Sequence, residues 1–66
     1  MINVDVRAIR ISLNMTQDQF AKRFELNLAT IREWEQHRRE PTMHARVLLA
    51  IIAHAPEVVD QALRGG

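Results

Sequence analysis

Between Thr16 and Gln36 the chain reads TQDQFAKRFELNLATIREWEQ, and two helix-start signals set so close together leave little choice of fold. Thr16 is a good N-cap. Gln19, three residues on, completes a capping box in which each side chain satisfies the other residue's backbone N–H. A helix is therefore predicted from Gln17 to Phe24, with Phe20, Ala21 and Phe24 turned inward. Asn27 repeats the capping signal. The helix it opens, about Leu28 to Gln36, has Ile31 and Trp34 three apart and inward, while Leu28, Ala29, Thr30, Arg32 and Glu33 lie outward or on the flanks. Glu25, Leu26 and Asn27 form the corner, so the two apolar faces must meet.

The flanking segments are helical as well. Val4 to Leu13 places Val6, Ile9 and Leu13 at helical spacing, with Asp5 at the end of the helix that favours negative charge. Asn14 ends this helix, because asparagine tolerates the left-handed conformation. His37 to Pro41 is a basic loop in which Pro41 biases Glu40 away from helix. Thr42 caps a further helix reaching about Ala53. That helix is apolar on nearly every side from Val47 to Ala53, as in a central core element or one that also meets a partner chain. Pro56 suits the first turn of a last helix, Glu57 to Leu63, whose Val58, Val59, Ala62 and Leu63 give an amphipathic pattern. No alternating stretch suggests a strand. The expectation is one all-α domain of five helices over residues 1–66, with a flexible end at Gly65 and Gly66.

A chain of 66 residues buries only about 60% of the surface its unfolded form exposes, so each large apolar side chain matters. With no cysteine there is no disulfide, no thiolate zinc site and no thiol nucleophile. His37, His44 and His54 lack the i, i+4 spacing of metal ligands, so no metal or cofactor is expected. Ser12, the only serine, has no base nearby in sequence, and both glycines are terminal, so no phosphate-cradling loop exists. These features argue against an enzyme. The apolar run Val47 to Ala53 is too short to cross a bilayer, and no signal peptide opens the chain, so a soluble, cytoplasmic protein is expected. Net charge is only +1. Eight of the nine cationic side chains are arginine, and Arg32, Arg38 and Arg39 cluster among Glu33, Glu35 and Glu40. Charge by itself describes an ordinary solvated surface.

The motifs TQDQFA at residues 16–21 and TIREWE at 30–35, followed by a basic loop and proline at 37–41, resemble the Cro and lambda-repressor-like helix-turn-helix proteins. The resemblance runs from about Val6 to Ile52. It implies a compact five-helix lambda-repressor-like DNA-binding domain whose second and third helices form the motif. Glu25 stands where that family usually has glycine, a conformation other residues reach at modest cost. Ala21 is expected at the closest crossing of the two helices. Phe20, Phe24, Leu26, Ile31 and Trp34 are expected to fill the core around it.

The resemblance also implies which residues meet double-stranded DNA. The second motif helix would lie in the major groove, with Asn27, Leu28, Ala29, Thr30, Arg32 and Glu33 toward the bases. Arg32 can donate twice to guanine, Glu33 can accept from cytosine, and Ala29 or Leu28 can pack on a thymine methyl. Competing roles are capping for Asn27 and pairing with a nearby arginine for Glu33. Gln17 is expected to hold the phosphate backbone and brace the reading helix, and Arg38 and Arg39 to meet phosphates. Arg10 and Glu35 match a pair that joins the first and third helices, with Arg10 also reaching a phosphate. The implied function is a sequence-specific repressor, dimeric on an inverted repeat. Its dimer surface would be Val58, Val59 and Leu63, with outward residues of Val47 to Ile52, unless these residues simply close the monomer's core. LLAIIAHAPEVV at 48–59 is similar to the end of HigA-type antitoxin regulators. The alternative is thus an antitoxin that binds a toxin protein and represses its own operon, whether as a minimal regulator or as the DNA-binding part of a longer protein.

Overall fold

Four of the five helix starts are closed by a side chain of the type that local chemistry favours. The N–H groups of Ala8, Gln19, Thr30 and Ala45 donate to the side chains of Asp5, Thr16, Asn27 and Thr42. Each cap satisfies a donor the helix itself cannot, which is worth about 1 kcal/mol. The Thr16 cap is reciprocal, since the Gln19 side chain accepts from the Thr16 N–H at 2.9 Å. In this computed structural model, which describes residues 4–65, the helices are α1 (Val6–Ser12), α2 (Gln17–Phe24), α3 (Leu28–Glu35), α4 (Met43–His54) and α5 (Pro56–Leu63). No strand occurs among the described residues. The expected all-α, five-helix architecture is what the chain adopts.

The helix limits differ in detail. α1 begins at Val6 rather than Val4, because Asp5 acts as the cap and so stands outside the helix. α3 stops at Glu35, one residue short of the expected end, and α4 continues through His54. Asn14 takes the left-handed conformation at φ 56°, as its chemistry suggests. Glu25 does so at the corner, φ 53°, and the N–H of Leu26 then donates to the Ala21 carbonyl at 2.9 Å. A left-handed glutamate is tolerated here because its side chain is exposed. His37 is a third such residue, at φ 60°, which no sequence signal announced.

α2 packs on α3, α1 on α3 and α4, and α5 on α4 and α2. Their shared core is Val6, Phe20, Ala21, Phe24, Ile31, Leu49, Ile52 and Val59. Phe20 and Phe24, one helical turn apart, meet edge-to-face with centroids 5.0 Å apart. Leu26 and Trp34, expected to be core residues, are only partly buried and pack against its rim. One side of Trp34 opens onto a groove that it lines with Val4, Asp5, His37 and Pro41.

α4 combines both features expected of it: Leu49 and Ile52 are buried in the core, while Met43, Val47 and Ile51, spaced four apart, form an exposed apolar stripe. The expectation for α5 needs correction. Val59, expected on a dimer surface, is only 6% exposed and belongs to the monomer's own core. Val58 and Leu63 do remain exposed, at 51% and 39%. A polar tie that the sequence did not reveal joins α5 to α2. Arg23 Nε and Nη2 donate to Asp60 Oδ1 and Oδ2 at 3.1 and 2.8 Å.

Candidate nucleic-acid interface

Glu35 closes α3 and is the hub that orients it. Arg10 Nε donates to Glu35 Oε2 at 2.8 Å, and Arg10 Nη2 donates to Oε1 at 2.9 Å. Gln17 Nε2 adds a third bond to Oε1 at 3.2 Å. Arg10 Nη1 donates to the Met15 carbonyl at 2.9 Å, which ties the segment before α2 into the same cluster. The side chain of Glu35 is only 6% exposed. A carboxylate at a helix C-terminus opposes the helix dipole, and the two-pronged arginine offsets that cost. The hydrogen bond from Arg10 holds the Glu35 carboxyl below the usual glutamate range against the opposing effect of burial, and Gln17 and Arg7 act in the same direction as Arg10. Arg10 is raised correspondingly by its bond to Glu35.

The cluster fixes one side of α3, and the opposite side is open. Ala29 and Arg32 are exposed, Thr30 and Glu33 are half-buried, and Leu28 is drawn partly into the core rim. Among the described residues Arg32 makes no ion pair or side-chain hydrogen bond. Beyond α3 the chain turns back through left-handed His37, and the Arg38 N–H donates to the Glu33 carbonyl at 2.9 Å. That turn places exposed Arg38 and Arg39 beside the end of the outward face. Glu33 pairs with Arg39 at 3.8 Å. Both partners are largely solvated, so the pair is worth at most about 1 kcal/mol and yields readily to a competing phosphate or base.

Three of the residues expected on DNA also have places in the fold itself. Asn27 Oδ1 accepts from the Thr30 N–H at 3.2 Å. That is the capping role expected as the alternative to base reading for Asn27. Arg10 directs its guanidinium to Glu35 and Met15, which makes it the expected brace between α1 and α3. Leu28 offers only part of its side chain outward. Gln17 keeps one amide N–H beyond its bond to Glu35, and it stands at the start of α2, where backbone N–H groups favour an anion. Asp18 follows it but is paired with Lys22 at 3.2 Å.

Two further arginines shape the site and escaped sequence reasoning. Arg46 holds the loop before α4, donating to the Pro41 carbonyl at 3.1 Å and to Glu40 at 3.2 Å. Arg23 makes the fork to Asp60 already described. Arg46 lies six residues from Glu40, within reach across a helix start, whereas nothing local connects Arg23 to Asp60. Among the described residues no group of three or more histidine, aspartate or glutamate side chains gathers to hold a metal ion, and no helix is long and apolar enough to cross a membrane.

A family model described as Helix-turn-helix matches residues 6–51. No curated protein and no solved structure matches the chain. The matched span begins with α1 and ends inside α4, so it contains the whole Arg10–Gln17–Glu35 cluster and the outward face of α3, and leaves α5 outside.

Proposed function

Because the chain belongs to the Helix-turn-helix family of DNA-binding regulators, of the Cro and lambda-repressor-like kind, we propose that α3 reads a specific sequence in the major groove and that the protein is a cytoplasmic, dimeric repressor acting on an inverted repeat. The observation that carries this reading is the division of α3 into two sides. One side is bolted to α1 and α2 through Glu35, and the other presents Ala29, Arg32 and Glu33 to solvent. A rigid helix with an exposed arginine suits guanine recognition, and the exposure of Arg38 and Arg39 and the spare amide N–H of Gln17 support phosphate contacts by these three.

Arg32 and Arg38 should therefore fail differently when replaced. Arg32→Ala is expected to cost about 1 to 3 kcal/mol on the preferred duplex and to relax preference at one base pair in each half-site. Arg38→Ala should weaken all sequences alike and reduce the steepness of the salt dependence by about one phosphate contact. Titrations of matched and mismatched duplexes at several salt concentrations separate the two. Equal, sequence-independent losses would remove Arg32 from the base-reading role.

Dimerisation is supported by the exposed Val58 and Leu63 on α5 and by the small number of base pairs one helix can reach. Val58→Asp is expected to give folded monomers in sedimentation, whereas a comparable change at Val59 would damage the core. An unchanged dimer would put the interface elsewhere. A second reading draws on the Met43, Val47 and Ile51 stripe of α4, which adds apolar surface to that of α5. On that reading the chain is an antitoxin of the HigA type that also binds a toxin protein, and a small ribonuclease copurifying from its host is the expected sign.

A further inference from the structure

α5 packs on α4 and α2 with little buried side-chain surface for a helix that would carry a dimer surface. No side chain caps its start, and Ala55 serves both as the C-cap of α4 and as the N-cap of α5. Of its eight residues only Val59 is buried. A single apolar anchor fixes where a helix sits but leaves it able to roll about its own axis, because apolar contact is not directional. The directional contact is the fork between Arg23 and Asp60, with both N–H···O bonds formed at 3.1 and 2.8 Å. Its arginine is itself held in place, since the guanidinium carbon lies 5.0 Å from the centroid of the buried Phe24 ring. The pair is partly solvated, at 31% and 15% side-chain exposure, so its contribution to stability is small while its geometric effect is large.

Asp60 is adjacent to Val59 and lies two and three residues from Val58 and Leu63, so the roll it fixes decides where both exposed apolar side chains point. Arg23 lies in the last turn of α2, the helix whose first turn flanks the groove-reading face. We infer that the Arg23–Asp60 fork is a positioning device. It sets the angle between the α5 surface and the helix-turn-helix, and through it the separation of the two half-sites that a dimer can grip at once. The inference rests on the dimeric reading given above, in which half-site spacing follows from subunit geometry.

The test uses the full chain as wild type, Arg23→Lys, Asp60→Asn and the exchange variant Arg23→Asp/Asp60→Arg. Arg23→Lys keeps the charge but not the planar fork. A preferred site is first selected with the wild type. Duplexes then carry two copies of its half-site at spacings changed one base pair at a time, beside a duplex with a single half-site. The wild type is expected to favour one spacing by about tenfold or more, since a misplaced second half-site loses its linked gain. Arg23→Lys and Asp60→Asn should bind the single half-site like the wild type, yet accept neighbouring spacings almost equally. The exchange variant should recover part of the preference. Single variants that retain the wild-type spacing preference overturn the inference, as do variants that lose single-half-site affinity in parallel, because the pair would then serve the monomer alone. A wild type that selects only isolated half-sites brings down the dimeric reading itself, and the inference with it, a failure visible before any variant is measured.

Discussion

Phe20→Ala is expected to leave most of the protein unfolded, or within reach of unfolding, at ordinary temperature. The Phe20 side chain has no exposure and meets Phe24 edge-to-face at the point where α2 contributes most to the core. Truncating a buried phenylalanine to alanine costs about 3 to 5 kcal/mol, the sum of lost transfer energy and an unfilled cavity. A domain of this length has a total stability of only about 3 to 10 kcal/mol. Nothing else in so small a core can close the gap, because the other large side chains with no exposure, Ile31, Leu49 and Ile52, already have their own places. Urea denaturation followed by far-ultraviolet circular dichroism checks the result. A loss below about 1 kcal/mol would mean that the site collapses or that Phe20 is not enclosed.

Glu35→Ala is expected to destabilise the protein as well, by less and for a different reason. Removing the carboxylate strands the Arg10 guanidinium, whose Nε and Nη2 donors lose their acceptor in a site with little water. The pair is part-buried, so stranding its donors costs about 1 to 3 kcal/mol, less than for a fully buried pair. The cost is also pH-dependent. Glu35 titrates below the ordinary glutamate range in the folded state because Arg10 hydrogen-bonds its charged form. A depressed folded pKa gives stability that is complete above the unfolded value, about 4.3, and is lost as pH falls through the folded value. The wild type should therefore lose stability steeply in acid, starting near pH 4.5. Glu35→Gln, which has no charge to lose, should show a shallower decline over the same interval. Matching acid slopes in the two proteins would show that the pair does not couple to folding.

The second consequence of Glu35→Ala lies at the DNA. α3 would keep its Asn27 cap and its buried Ile31 but lose the bond that locks its C-terminal end to α1 and α2. Discrimination among bases should then decline together with affinity, because a loosened reading helix no longer holds Arg32 in one register.

The parts of this structure that were legible in the sequence are those governed by local chemistry. Thr16, Asn27 and Thr42 each cap the N–H three residues on, so residue type and spacing alone marked the helix starts. Phe20, Ala21, Phe24 and Ile31 were legible as core because two short helices around a corner can bury only those faces. Val58 and Val59 show where that reasoning stops. Both are apolar neighbours on a helix of little more than two turns, and the pattern Val58, Val59, Ala62, Leu63 does not set its roll. Contact with α2 sets it, turning Val59 inward and leaving Val58 out. The Arg23–Asp60 fork was illegible for the same reason, since its partners meet only once the tertiary fold exists. His37 is a left-handed residue without the glycine or asparagine that would have advertised it. At the interface, the Asn27 cap and the Arg10–Glu35 pair were both legible beforehand as roles beside DNA contact, and the hydrogen bonds to Thr30 and Glu35 are the ones the fold forms.

Selection of duplexes from a random-sequence pool by the wild-type protein, with sequencing of what is retained, tests most directly whether α3 reads bases. Convergence on an inverted repeat containing a guanine in each half, with that guanine becoming degenerate when the selection is repeated with Arg32→Ala, is the predicted result. A retained pool that stays as random as the input, or a motif unchanged by Arg32→Ala, would contradict it.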